Sequence, residues 1–228
     1  MNTTDYGSSV FGGWRDASRA SWEAYVDHPF VRGLGDGLLP REAFIKYLVQ
    51  DYVFLVHFSR AWALAVVKSS SLEEMKVASA TLDALVNHEM QLHIETCAKE
   101  GISEDQLFAA EEEAENLAYT RFVIDAGLSG DFLDLMAALM PCVFGYGEIG
   151  MRLKSNAARD TPYQEWIDTY SGEDYQDLCK TVATMLENAA IARLGPDMRE
   201  TPRWEGLCKR FQQACDLEAN FWSMGLRG

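Results

Sequence analysis

Apolar residues recur with a period near 3.6 along almost the whole chain, and this periodicity limits the fold more than any other feature of the sequence. No run alternates apolar and polar residues, and no Asn-Gly or Asp-Gly turn joins two apolar strands. The chain has six prolines, all isolated, and no internal repeat. The pattern therefore predicts an all-α multi-helix bundle that covers residues 1–228 as a single domain.

Capping and turn residues divide this pattern into separate helices. Ser71 with Glu74 and Ser103 with Gln106 have the spacing of capping boxes. The segment HPFVRGLGDGLLP at 28–40 is rich in glycine and proline, so it is predicted to be a turn-rich connection. The predicted helices are 8–27, 40–69, 72–100, 103–112, 114–127, 131–155, 162–193 with a break near 171, and 200–224.

The charge and cysteine content exclude several classes of protein. Lys and Arg number 20 against 35 Asp and Glu, a net charge of −15, which repels phosphate backbones and anionic lipid. Neither nucleic acid nor a membrane is therefore an expected partner. The five cysteines have no CxxC spacing, which argues against a disulfide framework or a zinc site. The first residues lack the basic and apolar regions of a secretory signal, so we expect a cytoplasmic location.

Two acids interrupt apolar stripes on predicted helices. Asp51 shares a helical face with Phe44 and Leu48, and Glu218 shares one with Trp222. Burial raises the pKa of a carboxyl group, which suits a proton donor near neutral pH. An inter-helix ion pair or hydrogen bond is the alternative for each acid.

A thiol and several phenols follow the same inward pattern. Cys142 shares a stripe with Leu139 and Tyr146 and comes directly after Pro141, which is expected to kink the helix. A nucleophile is one interpretation of Cys142, although a lone buried cysteine is more often a small core residue. The tyrosines whose hydroxyls are expected to enter this core and need polar partners are Tyr52, Tyr119, Tyr146, Tyr163 and Tyr170.

The histidine spacing argues against a metal site. Helical di-metal sites use Glu-x-x-His on two different helices, and none of the four histidines follows a glutamate by three positions. Glu89 and His93 are four residues apart, so a hydrogen bond or ion pair between them is the expected arrangement. We therefore expect no metal and no cofactor.

Several segments resemble the thiaminase II (TenA) family, in order and over nearly the whole chain. The combination of the cysteine segment, WIDTYSG and the late E-x-x-F-W is specific, whereas 70–115 resembles the family least. The segments are HPFVRGLGDGLLP at 28–40, FIKYLVQDYVFLVHFSRA at 44–61, LMPCVFGYGEIG at 139–150, YQEWIDTYSGEDY at 163–175 and LEANFWSMG at 217–225.

The resemblance implies an all-α bundle of the haem-oxygenase-like type, usually a homotetramer, with a pocket inside each subunit. It also implies hydrolysis of 4-amino-5-aminomethyl-2-methylpyrimidine to the hydroxymethyl pyrimidine and ammonia, a thiamine salvage reaction. Thiamine itself is expected to be cleaved more slowly.

Residue by residue, the resemblance gives Cys142 the place of the nucleophile, Asp51 that of a pyrimidine-binding acid, and Glu218 that of the proton-transferring acid. The presence of Cys142 matches the cysteine-containing branch of the family. Phe54 stands where a tyrosine commonly orients the late glutamate, which leaves that hydrogen bond and the substrate preference open. The residues that match pocket tyrosines are Tyr119, Tyr146 and Tyr170.

This chemistry has a physical basis. An aminopyrimidine is flat, with a polar edge and apolar faces, so its site needs aromatic walls, including Phe54, and a carboxylate aimed at the edge. Addition of a thiolate to the ring allows the amine to leave, and water then attacks the methylene carbon. A thiol is mostly protonated at pH 7 and needs a base. Asp51 is the candidate base, and Glu218 the candidate proton donor to the ring or the leaving amine.

Two other functions remain as alternatives. One is a non-catalytic pyrimidine-binding or regulatory protein on the same scaffold. The other is a metal-dependent or redox member of the wider fold, which the histidine spacing disfavours.

Overall fold

The computed structural model describes residues 5–227, which form twelve α-helices and no strand. The predicted all-α bundle is therefore confirmed, and the domain ends at 1–4 and 228 lie outside the described residues. The helices are α1 (Ser9–Ala17), α2 (Arg19–Val26), α3 (Pro29–Asp36), α4 (Arg41–Lys68), α5 (Leu72–Ala84), α6 (Met90–Lys99), α7 (Glu104–Phe108), α8 (Ala114–Ser129), α9 (Phe132–Asn156), α10 (Gln164–Ser171), α11 (Glu173–Leu194) and α12 (Pro202–Leu226), with a π-turn at Leu85–Glu89 and a 3-10 turn at Met198–Glu200.

The predicted turn-rich connection at 28–40 is wrong, because most of it forms α3. The ring of His28 accepts a hydrogen bond from the Phe30 N–H at 3.2 Å, and Pro29 occupies the first helical position. Gly37 ends the helix in the left-handed conformation at φ 71°. Proline at the first position and glycine just after the last turn are signals of a helix. The prediction missed them because the segment was interpreted by its total glycine and proline content.

Two predicted helices are interrupted. The helix predicted at 8–27 is divided at Ser18, whose N–H bonds back to carbonyls of the preceding turn. The helix predicted at 72–100 contains the π-turn Leu85–Glu89, a rare widening that is frequent at functional sites. Neither break has a proline or glycine to mark it. The break predicted near 171 is confirmed, because Gly172 separates α10 from α11.

The two predicted capping boxes differ. Ser103 and Gln106 form the complete box at the start of α7. Ser71 accepts from the Glu74 N–H at 3.1 Å, but the Glu74 carboxylate bonds to the Ser70 N–H instead of Ser71. Arg193 also pairs with Glu74 at 2.6 Å, so a tertiary contact takes the side chain that the local motif would use.

Helix α9 lies at the centre of the bundle and carries Cys142. It packs against α2, α4, α8, α10, α11 and α12. Within residues 5–227 it is the single helix with the length and hydropathy of a membrane span, and all of that window is buried in the protein. Its apolar composition is therefore that of a core helix, surrounded by the helices that supply the other site residues.

The run GYGEIG at 145–150 allows this central position. Its spacing resembles a dinucleotide fingerprint, but it lies inside a helix instead of between a strand and a helix. Each glycine allows a close approach: a Cβ on Gly145 would meet the Tyr25 ring at 2.1 Å, and one on Gly150 would meet the Tyr170 backbone at 2.5 Å. Gly150 thereby lets α10 lie directly against α9.

We predict that Gly150→Ala destabilises the protein by about 1–3 kcal/mol, because the added methyl group would displace backbone instead of a flexible side chain. The matched control is Gly206→Ala in α12, where a Cβ meets nothing within 4 Å and alanine is expected to stabilise by about 1 kcal/mol. Urea denaturation measures both. A Gly150→Ala protein as stable as the wild type would contradict the close helix packing.

Candidate active site

A cavity of about 720 Å³ lies between α4, α5, the π-turn, α9, α10 and α11. Its inner part is lined by buried polar residues, among them Asp51 and Tyr170, with Cys142 partly exposed to it. Asp168 and Glu173 are exposed at its outer end. The cavity is thus an open pocket with an acidic entrance, large enough for a flat heterocycle with a substituent.

The thiol of Cys142 lies against the carboxyl of Glu218, within reach of a side-chain hydrogen bond. Burial raises the pKa of this thiol well above its usual value, and the charges of Glu218, Glu89 and Asp51 raise it further. The resting thiol is therefore protonated at neutral pH. A nucleophilic role requires that its proton be removed as the sulfur attacks.

Glu218 is positioned for this proton. It is buried in α12, and the Tyr119 hydroxyl donates to its Oε1 at 2.9 Å. Burial raises the pKa of Glu218 to about 8, although the bonds from Tyr119 and Cys142 lower it. Near neutral pH this carboxyl can hold a proton and can also accept one, which is the property of a proton-transfer group.

Asp51 has a different set of partners. The Tyr47 hydroxyl donates to its Oδ2 at 3.0 Å, and His93 Nε2 lies 2.7 Å from the same oxygen. The inter-helix pair considered for Asp51 in the sequence therefore exists, with a histidine as partner. Asp51 also lines the cavity, so its pairing with His93 does not remove it from the candidate site.

The hydrogen bond expected between Glu89 and His93 is confirmed, but it uses the backbone carbonyl of Glu89 and not its carboxyl. His93 Nδ1 donates to the backbone carbonyl of Glu89 at 2.9 Å, while its other nitrogen contacts Asp51. The Glu89 carboxyl instead accepts from the Tyr170 hydroxyl at 3.0 Å and faces the cavity. Burial raises the pKa of Glu89, and the charge of His93 opposes that rise. The π-turn ends at Glu89, and α6, which carries His93, begins directly after it.

Aromatic rings form the walls near the thiol. The ring of Tyr146 lies 4.9 Å from Tyr170, 5.8 Å from Trp166 and 5.4 Å from Trp222, measured between centroids. The Trp166 N–H donates to the Tyr47 hydroxyl at 3.3 Å. The rings are therefore held by packing and by hydrogen bonds, which gives a rigid wall for a planar ligand.

Phe54 lies behind the site instead of in it. Its ring packs 4.9 Å from Tyr119 and 5.7 Å from Phe221, and it does not line the cavity. Tyr119 supplies a hydrogen bond to Glu218, so the phenylalanine at 54 does not leave that acid without a donor. Phe54 is therefore a core residue that packs against the ring of Tyr119.

Two of the predicted phenols lie elsewhere. The Tyr163 hydroxyl donates to the Leu39 carbonyl. Tyr52 does not line the cavity, and burial and the charge of Glu104 raise the pKa of its hydroxyl. Both tyrosines were expected to enter the same core because they share its helices, but one helical face can bury a phenol against backbone at some distance from the cavity. Tyr119, Tyr146 and Tyr170 do converge with the acids and the thiol.

Tyr47, Trp166 and His93 belong to the site but were not predicted as site residues. Tyr47 lies four residues before Asp51 on one helical face, which is a signal that could have indicated it. His93 was noticed only through Glu89. Its side-chain partner, Asp51, is on another helix, and no local sequence pattern indicates a contact between two helices. Within residues 5–227 no three His, Cys, Asp or Glu side chains are arranged as metal ligands.

Comparison with known proteins places the chain in a family. The model of the TENA/THI-4/PQQC family matches residues 15–228. An aminopyrimidine aminohydrolase of Halalkalibacterium halodurans is 38% identical over 205 residues, covering 89% of each protein. One from Bacillus subtilis is 33% identical and covers 93% of this chain and 88% of its own length.

Solved structures agree. A crystal structure described as a TenA family transcription regulator from a Silicibacter species is 57% identical, has a TM-score of 0.95 and covers 97% of this chain and 98% of its own. A TenA homologue from Pyrococcus horikoshii is 25% identical with a TM-score of 0.85, covering 96% of this chain and 98% of its own. The thiol, the acids and the tyrosines thus lie in the fold of these proteins, and the chain belongs to the TENA/THI-4/PQQC family.

Proposed function

We propose that this chain is a hydrolase of aminopyrimidines, of the thiaminase II or aminopyrimidine aminohydrolase type. The observation that carries the proposal is the contact of the Cys142 thiol with the Glu218 carboxyl at a cavity that Asp51 also lines. Membership of the family and the two bacterial relatives of that name support it. The substrate is 4-amino-5-aminomethyl-2-methylpyrimidine, which the enzyme hydrolyses to the hydroxymethyl pyrimidine and ammonia in thiamine salvage. Thiamine is a slower substrate.

The reaction proceeds through a covalent intermediate on Cys142. Its Sγ bonds to an electrophilic ring carbon, and the thiol proton is passed to the substrate. The electron pair of the ring then expels ammonia and leaves an exocyclic methylene group. Water adds to that methylene, and the C–S bond breaks to return the thiol. One difficult displacement thereby becomes two easier steps.

Glu218 moves the proton. Its carboxyl touches the thiol, whereas both partners of Asp51 lie on Oδ2 and hold that acid in place. The geometry therefore favours Glu218 over Asp51 as the group that accepts the proton of Cys142. A protonated carboxyl can accept at one oxygen while it donates from the other, so the same group relays the proton to the ring or the leaving amine.

Asp51 binds the substrate. A carboxylate at the inner end of the cavity accepts a charge-assisted hydrogen bond from the exocyclic amino N–H of the amidine-like edge, which orients the ring. Tyr146 and Tyr170 supply the faces. The acidic entrance attracts the cationic aminomethyl group of the substrate.

We also propose a single-domain, cytoplasmic protein that assembles as a homotetramer. Exposed apolar side chains near one end of the bundle support a subunit contact: Val67 is 79% exposed and Leu72 66%. Lys68 bonds to the Gly130 carbonyl, which brings the exposed Leu128 to the same end. Sedimentation equilibrium tests the assembly, and a monomer would contradict it.

The alternative is a regulator that binds a pyrimidine without cleaving it, because a similar solved structure is described as a transcription regulator. The net charge of −15 disfavours direct binding of this chain to nucleic acid. A regulator of this kind would act through a protein partner.

Product release distinguishes the two functions. We expect the protein to release ammonia from the aminomethylpyrimidine and, more slowly, the thiazole from thiamine, with the hydroxymethyl product as an inhibitor. Ammonia and thiazole assays on the purified chain measure this directly. A protein that binds the pyrimidines but releases neither product would be a binding protein.

Cys142→Ser is expected to lower kcat by at least about a hundredfold, because a hydroxyl is a poorer nucleophile than a thiol in the same position. Its melting temperature is expected to stay near that of the wild type. Cys208→Ser is the matched control, since Cys208 lies near Arg199 and Glu205, away from the cavity. Retention of most activity by Cys142→Ser would remove the thiol from the mechanism.

The rate is expected to depend on a protonated Glu218. Because burial raises the pKa of Glu218 to about 8, its proton is present below that pH, and kcat/KM should fall as the pH rises through it. Glu218→Gln cannot titrate, so its residual activity should lack this limb, with kcat lower by about a hundredfold or more and KM changed less. A loss of affinity alone, or a limb that persists, would assign Glu218 to binding.

A further inference from the structure

His93 is a buried histidine for which the mechanism above has no role. Its Nδ1 lies 2.9 Å from the backbone carbonyl of Glu89, and a carbonyl only accepts, so Nδ1 carries a proton. Its Nε2 lies 2.7 Å from Asp51 Oδ2, also an acceptor when ionised. Both ring nitrogens therefore face acceptors, and the imidazolium form satisfies both contacts.

The surroundings favour the same protonation state. Burial alone would lower the pKa of His93, but the bond to Asp51 and the charges of Asp51 and Glu89 outweigh it, and the pKa is raised above its usual value. His93 and Asp51 are each almost fully buried, so little water screens the pair.

The contacts also fix the orientation of the acid. Tyr47 and His93 both bond to Oδ2, one from α4 and one from α6. Two donors on one oxygen restrain the rotation of the carboxylate. Neither bond uses the second oxygen, Oδ1, and the Asp51 side chain lines the cavity.

We propose that His93 is a positioning residue that holds the Asp51 side chain in one orientation, so that Oδ1 accepts the amino N–H of an aminopyrimidine edge. The role of Asp51 in substrate binding rests on the proposed function above. His93 itself does not contact the substrate, and it acts through Asp51.

Other groups around the pair limit what its charge can do. His93 also borders a crevice that contains Arg41 and Glu165, but Arg41 pairs with Glu100 on the surface. Among the described residues around the pair, His93 is therefore the positive group that faces the carboxyl groups of Asp51 and Glu89. The titratable groups on the elements packed against the pair are Tyr47 on α4, Glu89 on the π-turn, Cys97 on α6, Cys142 and Tyr146 on α9, Tyr170 on α10 and Glu218 on α12.

The first test reads the free protein. In the whole chain labelled with 15N-histidine, NMR titration shows whether each ring nitrogen carries a proton, and His93→Gln assigns the signal. We expect His93 to keep both protons at pH 7 and to lose the Nε2 proton in Asp51→Asn. A neutral His93 at pH 7 in the wild type, or a titration unchanged by Asp51→Asn, would overturn the proposal, even if His93→Gln fails to fold.

The second test is kinetic. His93→Gln keeps an N–H for Asp51 but removes the positive charge, so KM for the aminomethylpyrimidine should rise about tenfold or more while kcat changes less. His57→Gln is the control, since His57 pairs with Glu112 outside the cavity. A loss of kcat with an unchanged KM would indicate a structural role only and overturn the proposal.

The two tests separate this proposal from the proposed function. If the wild-type chain neither binds the hydroxymethyl pyrimidine nor releases ammonia, the proposed function fails and so does the substrate-binding part of the proposal. NMR in the absence of substrate still shows whether the contact with Asp51 keeps His93 protonated.

Discussion

Burial of carboxyl groups beside a thiol is the constraint on which the rest of the site depends. Asp51, Glu89 and Glu218 all raise the pKa of the Cys142 thiol, in surroundings where water cannot screen them. Each buried acid is stabilised in a different way. Asp51 bonds to His93 and Tyr47, and Glu89 accepts from Tyr170. Glu218 retains a proton near neutral pH because its pKa is raised to about 8. The site thus holds protons in reserve next to its nucleophile.

The fold supplies this arrangement from distant parts of the chain. The central helix α9 carries the thiol, and its glycines let neighbouring helices approach closely enough to bring Tyr170 beside Tyr146. The π-turn ends at Glu89, and α6, which carries His93, begins at the next residue. Because the acids come from α4, the π-turn and α12, a shift of any one of these elements would separate a proton donor from its acceptor.

The sequence predicted the parts of the site that a helical period reveals. Asp51, Cys142 and Glu218 each interrupt an apolar stripe, and all three meet in or beside one cavity. The sequence could not show which groups would be paired, because pairing is decided between helices. His93 bonds to the Glu89 backbone as the spacing indicated, but its second partner, Asp51 on α4 at 2.7 Å, was not predicted. Tyr163 was predicted to share the core of the site, but its hydroxyl binds a backbone carbonyl away from the cavity.

The most direct test of the covalent mechanism is rapid-quench mass spectrometry of the intact protein mixed with the aminomethylpyrimidine. The mechanism requires a transient mass increase equal to the pyrimidine methylene fragment, which peptide mapping locates on Cys142 and which accumulates when proton transfer is slowed. An adduct on another residue, or steady release of ammonia with no adduct at any time, would contradict it.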